Sequence, residues 1–93
     1  MSARGDFFFT PSAVRTFQAI YRLPTYEAAL DRLIAMGKVA VYKKRLESGA
    51  ETWRAPKPER CYLIAEPERN AEDLIVVVDV WPEHGQRPRR GRP

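Results

Sequence analysis

The sequence holds one histidine, His84, whose imidazole can donate or accept a proton near neutral pH. Metal-independent cleavage of RNA needs a base for the 2′-hydroxyl, an acid for the leaving oxygen, and cations around the phosphate. Arg54 could supply positive charge and Glu51 an alternative base, so these three residues form the candidate catalytic set. The other interpretation of His84 is a solvated side chain beside Gly85 with no chemical role.

A cationic segment with aromatic side chains lies in the middle of the chain. Lys43, Lys44 and Arg45 follow one another, and Trp53 comes shortly after them. Such cations can neutralise phosphates while nucleobases stack on the ring, which predicts a nucleic-acid-binding surface. Two other interpretations stay open. The cations can guard an edge strand against aggregation, and Trp53 can pack on Tyr42 across a hairpin.

The C-terminal residues 82–93 form a basic tail rich in proline and glycine, without a large apolar side chain. We expect this tail to be disordered when free and to hold nucleic acid without reading its sequence. A GC-rich genome would give the same arginine and proline bias with no functional meaning. The arginines of the tail are Arg87, Arg89, Arg90 and Arg92.

The net charge of +4 is unevenly distributed along the chain. Residues 38–60 carry seven basic and three acidic side chains, whereas residues 61–81 carry one basic and five acidic. The tail carries four basic side chains and one acidic side chain. This pattern predicts two faces of different charge, and the basic face suits a nucleic-acid partner.

Composition limits the other classes of site. Cys61 is the single cysteine, so no intramolecular disulfide can form, and without a Cys/His cluster we expect no metal and no cofactor. The apolar run Phe7–Phe9 is too short for a signal peptide, and no run approaches the roughly 20 apolar residues of a membrane span. We therefore expect a cytoplasmic protein without a membrane partner.

The elements that must position these side chains centre on the apolar run Asp73–Pro82. The run has neither a helical period nor strict alternation, which predicts an interior strand covered on both faces. Asp79 interrupts it, and we expect this carboxylate to be a buried partner for an arginine.

Two helices are predicted before most of the strands. Thr10-Pro11 is typical of a helix start and Leu23-Pro24 of a helix end. Thr25 predicts the cap of a second helix, whose buried face would include Ile34. Gly37 would follow its last turn in the left-handed conformation.

Strand signals occupy Phe7–Phe9, Val39–Glu47, Glu51–Ala55, Arg60–Glu66 and the central run. Val39–Glu47 and Glu51–Ala55 would form a hairpin whose polar outer half is exposed. The sequence thus predicts an α+β domain over residues 1–81, with two N-terminal helices packed on a mostly antiparallel sheet of about four to five strands.

This order of elements, with the lead-in FFFTPSA at Phe7–Ala13, resembles the RelE/ParE-type toxin fold and a related group of small bacterial proteins. The resemblance covers roughly residues 7–84. It implies a RelE-like sheet that cuts ribosome-bound mRNA with Arg, Lys, Tyr, His or Glu side chains on its exposed face, held by an antitoxin. Ser12 stands where the related group often has histidine, whereas His84 lies where some family ribonucleases keep a C-terminal His or Tyr.

Two functions from different classes follow. The first is a small nucleic-acid-directed protein, either an mRNA endonuclease toxin or an RNA-binding relative. The alternative is a non-catalytic factor, such as a phage or mobile-element accessory protein, that binds a host protein. The central strand is very apolar for so small a chain, which is also compatible with a homodimer that buries sheet surface.

Overall fold

The computed structural model describes residues 6–56 and 60–82. In chain order the elements are β1 (Phe7–Phe9), α1 (Pro11–Tyr21), α2 (Tyr26–Gly37), β2 (Val41–Arg45), β3 (Glu51–Ala55), β4 (Cys61–Ala65) and β5 (Ile75–Pro82). The strands form one sheet in the order β1-β5-β4-β3-β2. β1 is parallel to β5, and the other neighbours are antiparallel. The predicted α+β class with a mostly antiparallel sheet is therefore confirmed.

Thr10 begins α1 and also ties the helix to the sheet. Its side-chain oxygen accepts a hydrogen bond from the Ala13 amide at 3.2 Å, as an N-cap does, and Pro11 follows at the first helical position. The same hydroxyl donates to the Val77 carbonyl of β5 at 2.9 Å. After the last turn, Arg22 adopts the left-handed conformation with φ 55°.

Helix α2 begins at a second threonine cap and ends in close contact with β1. Thr25 accepts a hydrogen bond from the Ala28 amide at 3.0 Å. The left-handed role expected for Gly37 is wrong, because Gly37 is the last residue of the helix. A Cβ at this position would lie 2.9 Å from the ring of Phe7, so glycine allows α2 to approach β1 closely. Neither described helix is long and apolar enough to cross a membrane.

The two helices cover one face of the sheet, and the main hydrophobic core lies between them. Phe17 of α1, Leu33 of α2, and Leu63 and Val77 of the sheet are fully buried there. The expected burial of Ile34 is wrong, since its side chain is 44% exposed. Consecutive helical side chains point about 100° apart, so a helix that directs Leu33 into the core turns the next residue away.

One face of β5 is buried beneath the helices and the other is only partly buried, which corrects the expectation of two buried faces. Val77 and Val80 are buried beneath the helices. Val76 and Val78 are only half-buried, and Trp81 is 36% exposed. The absence of alternation in this apolar run therefore has an explanation other than burial on both faces.

A β-bulge supplies that explanation. Ala65 of β4 pairs with Val77, but the next residue of β4, Ile64, pairs with Asp79. Val78 is thus an extra residue on β5, and it lies on the same face as Asp79. The bulge shifts the alternation by one position, which leaves the sequence of the strand without a regular period.

The hairpin of β2 and β3 contains a second bulge. All five residues of β2 are exposed at this edge of the sheet, as expected for the outer hairpin. The register shifts between Tyr42 and Lys44, so Lys43 is the extra residue. The hydroxyl of Thr52 closes the bulge, since it donates to the Lys44 carbonyl at 3.0 Å and accepts from the Lys44 amide at 3.3 Å.

Candidate functional site

The sheet face opposite the helices brings aromatic, apolar and charged side chains together. Cross-strand partners share a face, so the pairing register assigns each residue to one side. Ile64 shows that this face is separate from the main core, because its side chain is only 4% exposed but does not belong to the core cluster. We call this surface the open face, and its described residues are Phe8, Val41, Lys44, Thr52, Arg54, Tyr62, Ile64, Val76, Val78, Asp79 and Trp81.

One row of the open face crosses four strands. Val41, Arg54, Tyr62 and Trp81 are successive partners from β2 to β5. Arg54 and Tyr62 are half-buried, whereas Trp81 is more exposed, at 36%. Two aromatic side chains therefore lie next to each other, with a guanidinium group on the neighbouring strand.

The next row adds a cation at one end and an acid at the other. Lys44 pairs with Thr52, Thr52 with Ile64, and Ile64 with Asp79. Lys44 is exposed, and its row adjoins that of Arg54. The open face is thus cationic on β2 and β3, and it carries its aromatic pair and a carboxylate towards β5.

Asp79 is held in place by two hydrogen bonds within β5. Its Oδ1 accepts from the Val80 amide at 2.8 Å, and its Oδ2 accepts from the indole Nε1 of Trp81 at 3.0 Å. The second bond links the carboxylate to the exposed ring. An aromatic side chain that is restrained in this way loses less conformational entropy when a ligand packs on it.

Trp81 was not predicted as a site residue beside Tyr62 and Asp79. Their spacing in the chain gives little indication that they meet, because pairing between β4 and β5 brings them together. One signal was present in the sequence. Asp79 is an acidic residue inside an apolar strand, and such a residue needs either a buried partner or an exposed face.

The structure does not bring the candidate base Glu51 to Arg54. The two residues lie on β3 at positions of opposite parity, so their side chains point to opposite faces of the sheet. Glu51 instead forms an ion pair with Arg45 of β2 at 2.9 Å on the side of the helices. Arg45 is therefore engaged by a carboxylate and lies apart from the open face.

Trp53 also lies on the helix side, where its ring is 5% exposed. It makes an edge contact with Phe7 at 5.1 Å and with Tyr42 at 5.5 Å between ring centroids. The structure confirms that Tyr42 pairs with Trp53 across the hairpin. The indole Nε1 of Trp53 is buried without a hydrogen-bond partner among the residues that the structure describes. No nucleobase has access to this ring in the folded chain.

Of the remaining candidates, Lys43 and Lys44 are exposed on β2, with Lys43 at the bulge and Lys44 on the open face. The candidate catalytic residue His84 lies outside the described residues. The tail arginines Arg87, Arg89, Arg90 and Arg92 do so as well.

Within residues 6–56 and 60–82, no group of three or more His, Cys, Asp or Glu side chains could hold a metal ion. No protein-family model matches the chain, and no curated protein or solved structure matches it either. The arrangement of residues on the open face is therefore the basis on which a function is proposed.

Proposed function

We propose that this protein binds single-stranded RNA on the open face. The observation that carries the proposal is the row in which Tyr62 and Trp81 lie side by side and Arg54 lies on the neighbouring strand. Unstacked bases pack on aromatic rings, and cations beside the rings contact the phosphates that connect those bases. On this face Tyr62 is half-buried and Trp81 is 36% exposed, so a ligand can reach part of each side chain.

The expected energies are large enough for a measurable affinity. Stacking of one base on an aromatic side chain contributes about 1–3 kcal/mol. Lys44 and Arg54 add phosphate contacts, and each contact to a single strand releases counterions that steepen the salt dependence by about 0.7. Two stacked bases and two phosphate contacts therefore predict binding that weakens with salt but persists through stacking.

The edges of the sheet are less suited to a partner than its face. β2 carries Lys43, Lys44 and Arg45 and contains a bulge, and both features oppose pairing with another strand. At the other edge, β1 has three residues. These features support a ligand on the open face, and they weigh against a homodimer built by joining edge strands.

Direct binding tests the proposal. A fluorescently labelled oligouridine is titrated with the full chain, and anisotropy is recorded at several salt concentrations. Trp81→Ala should weaken binding about tenfold, which corresponds to the loss of one stacked base. Lys44→Ala should reduce the salt slope by about 0.7.

The control variants change one cationic and one aromatic side chain that lie away from the open face. Arg15 is exposed on α1, and Tyr42 is 44% exposed on the opposite side of the hairpin. Arg15→Ala and Tyr42→Ala should leave the affinity within about twofold of wild type. Equal losses in the control and open-face variants would contradict the proposed site.

Cleavage is a separate claim, which rests on the resemblance to RelE/ParE-type toxins. In that version the bound strand is mRNA, and His84 with Arg54 performs the reaction under control of an antitoxin. Incubation of RNA with wild type, His84→Ala and Arg54→Ala tests it, together with the growth of cells in which the protein is induced. Cleavage that neither substitution affects, or no cleavage and no growth arrest, would remove the endonuclease role but not the binding role.

The alternative is a protein partner, and exposed apolar side chains on the same face favour it. Phe8 is 44% exposed and Val41 is 60% exposed. Co-purification with a single protein that survives nuclease and high salt would support this alternative. A complex that dissociates with salt would support nucleic acid instead.

A further inference from the structure

The open face carries a fixed carboxylate where a bound strand would otherwise meet only rings and cations. We infer that Asp79 recognises the base edge of the bound strand and that it selects guanine. This inference rests on the proposed function, because it assigns a specificity to the same surface.

The position of Asp79 depends on the bulge in β5. In a strand without the bulge, alternation from Val77 would place Val78 on the open face and Asp79 on the helix side. With it, Asp79 shares the open face with Trp81 and with Ile64, its partner on β4. A rearrangement of the strand register has therefore put a carboxylate beside the aromatic pair.

A carboxylate on an RNA-binding face repels the phosphates of the strand. It favours binding only when it accepts hydrogen bonds from donors on the bases, which carry no charge. Asp79 is half-buried, so part of its hydration is already lost. A base that replaces the remaining water with N–H donors is favoured, and a base without them is disfavoured.

The hydrogen bonds already formed leave two acceptor positions. A carboxylate has about four lone-pair sites, two on each oxygen. The Val80 amide occupies one site on Oδ1, and the Trp81 indole occupies one on Oδ2. One site remains on each oxygen, so the carboxylate can accept two further donors.

Guanine is the base that offers two neighbouring donors, N1–H and the N2 amino group, on its Watson–Crick edge. Adenine and cytosine each present one amino donor beside an acceptor, and uracil presents one N–H between two carbonyl groups. Single-stranded RNA exposes this edge, since it is not paired. The complementarity thus identifies a guanine in an unpaired segment as the preferred ligand.

The test uses oligouridines of about eight nucleotides that carry one central guanine, adenine or inosine. Their affinities for the full chain are measured by anisotropy at one salt concentration. Wild type should bind the guanine strand about tenfold more tightly than the adenine strand. Inosine keeps N1–H but lacks the N2 amino group, so its affinity should lie between the two.

Asp79→Asn retains a side-chain oxygen for one of the two bonds in β5 but replaces the other oxygen with a donor. This variant should bind all three strands with similar affinity, and circular dichroism checks that it is folded. Equal binding of guanine, adenine and inosine strands by wild type would overturn the inference without any variant. The proposed function would survive that result if Trp81→Ala still weakened all three complexes equally. Failure of every strand to bind would remove both.

Discussion

Thr10 provides the most direct test of how the helices are fixed to the sheet, because the chain contains its own control. Thr10 and Thr25 are both N-caps that accept a hydrogen bond from an amide three residues later. Thr10 alone of this pair also donates to the Val77 carbonyl, at 2.9 Å. Replacing each threonine by alanine therefore removes a cap in both cases and a helix-to-strand bond in only one.

The expected magnitudes follow from these bonds. Loss of a threonine cap costs about 1 kcal/mol, and loss of a hydrogen bond between folded elements costs about 1 kcal/mol more. Thr25→Ala should lower the free energy of unfolding by about 1 kcal/mol and Thr10→Ala by about 2 kcal/mol. Thr10→Ser keeps the hydroxyl and should recover most of the loss.

Urea denaturation followed by circular dichroism measures the three free energies. The bond to Val77 would have no stabilising role if Thr25→Ala were as destabilising as Thr10→Ala. Equal destabilisation by Thr10→Ser and Thr10→Ala would point to the lost methyl group rather than to the hydrogen bonds.

Three further predictions concern the hairpin, the helix end and the tryptophans. Thr52→Val should destabilise the fold by about 1 kcal/mol in urea denaturation, because the bulge in β2 loses its closing hydroxyl. A valine variant as stable as wild type would refute the role of the hydroxyl. Gly37→Ala should lower the free energy of unfolding less in a Phe7→Leu background than in wild type, by about 1 kcal/mol in a double-mutant cycle. The absence of coupling between the two substitutions would contradict a clash with the Phe7 ring. In single-tryptophan variants, acrylamide should quench Trp81 more strongly than Trp53, and equal quenching would mean that the open face is covered.

Local signals in the sequence were sufficient for the helices. A threonine followed by proline predicts the start of α1, and the structure has that cap. Alternation along β4 places Leu63 and Tyr62 on opposite sides of the sheet, as the structure has them. These features depend on contacts within a few residues, so local propensities determine them.

Two of the errors concern positions where residues distant in sequence are in contact. Gly37 is the last residue of α2 rather than a left-handed cap, and a Cβ at this position would lie 2.9 Å from the ring of Phe7. The apolar run of β5 was interpreted as a strand covered on both faces, although a bulge at Val78 explains it. A bulge inserts one residue into one of two paired strands, so it becomes visible only when the partner strand is known.

The candidate site was predictable only in part for the same reason. The basic hairpin was identified, and it contributes Lys44 and Arg54 to the open face. The aromatic pair of Tyr62 and Trp81 comes from β4 and β5 and requires their register. Glu51 was expected to act as an alternative base beside Arg54, but strand alternation places its side chain on the other face.

The central claim is that the open face, and not the helical side, binds single-stranded RNA. Amide chemical-shift changes on addition of a short oligouridine measure this residue by residue. We expect the largest changes on Arg54, Tyr62 and Trp81, with the amides of α1 and α2 nearly unaffected. Changes concentrated on the helices, or none at concentrations that saturate a micromolar site, would contradict it.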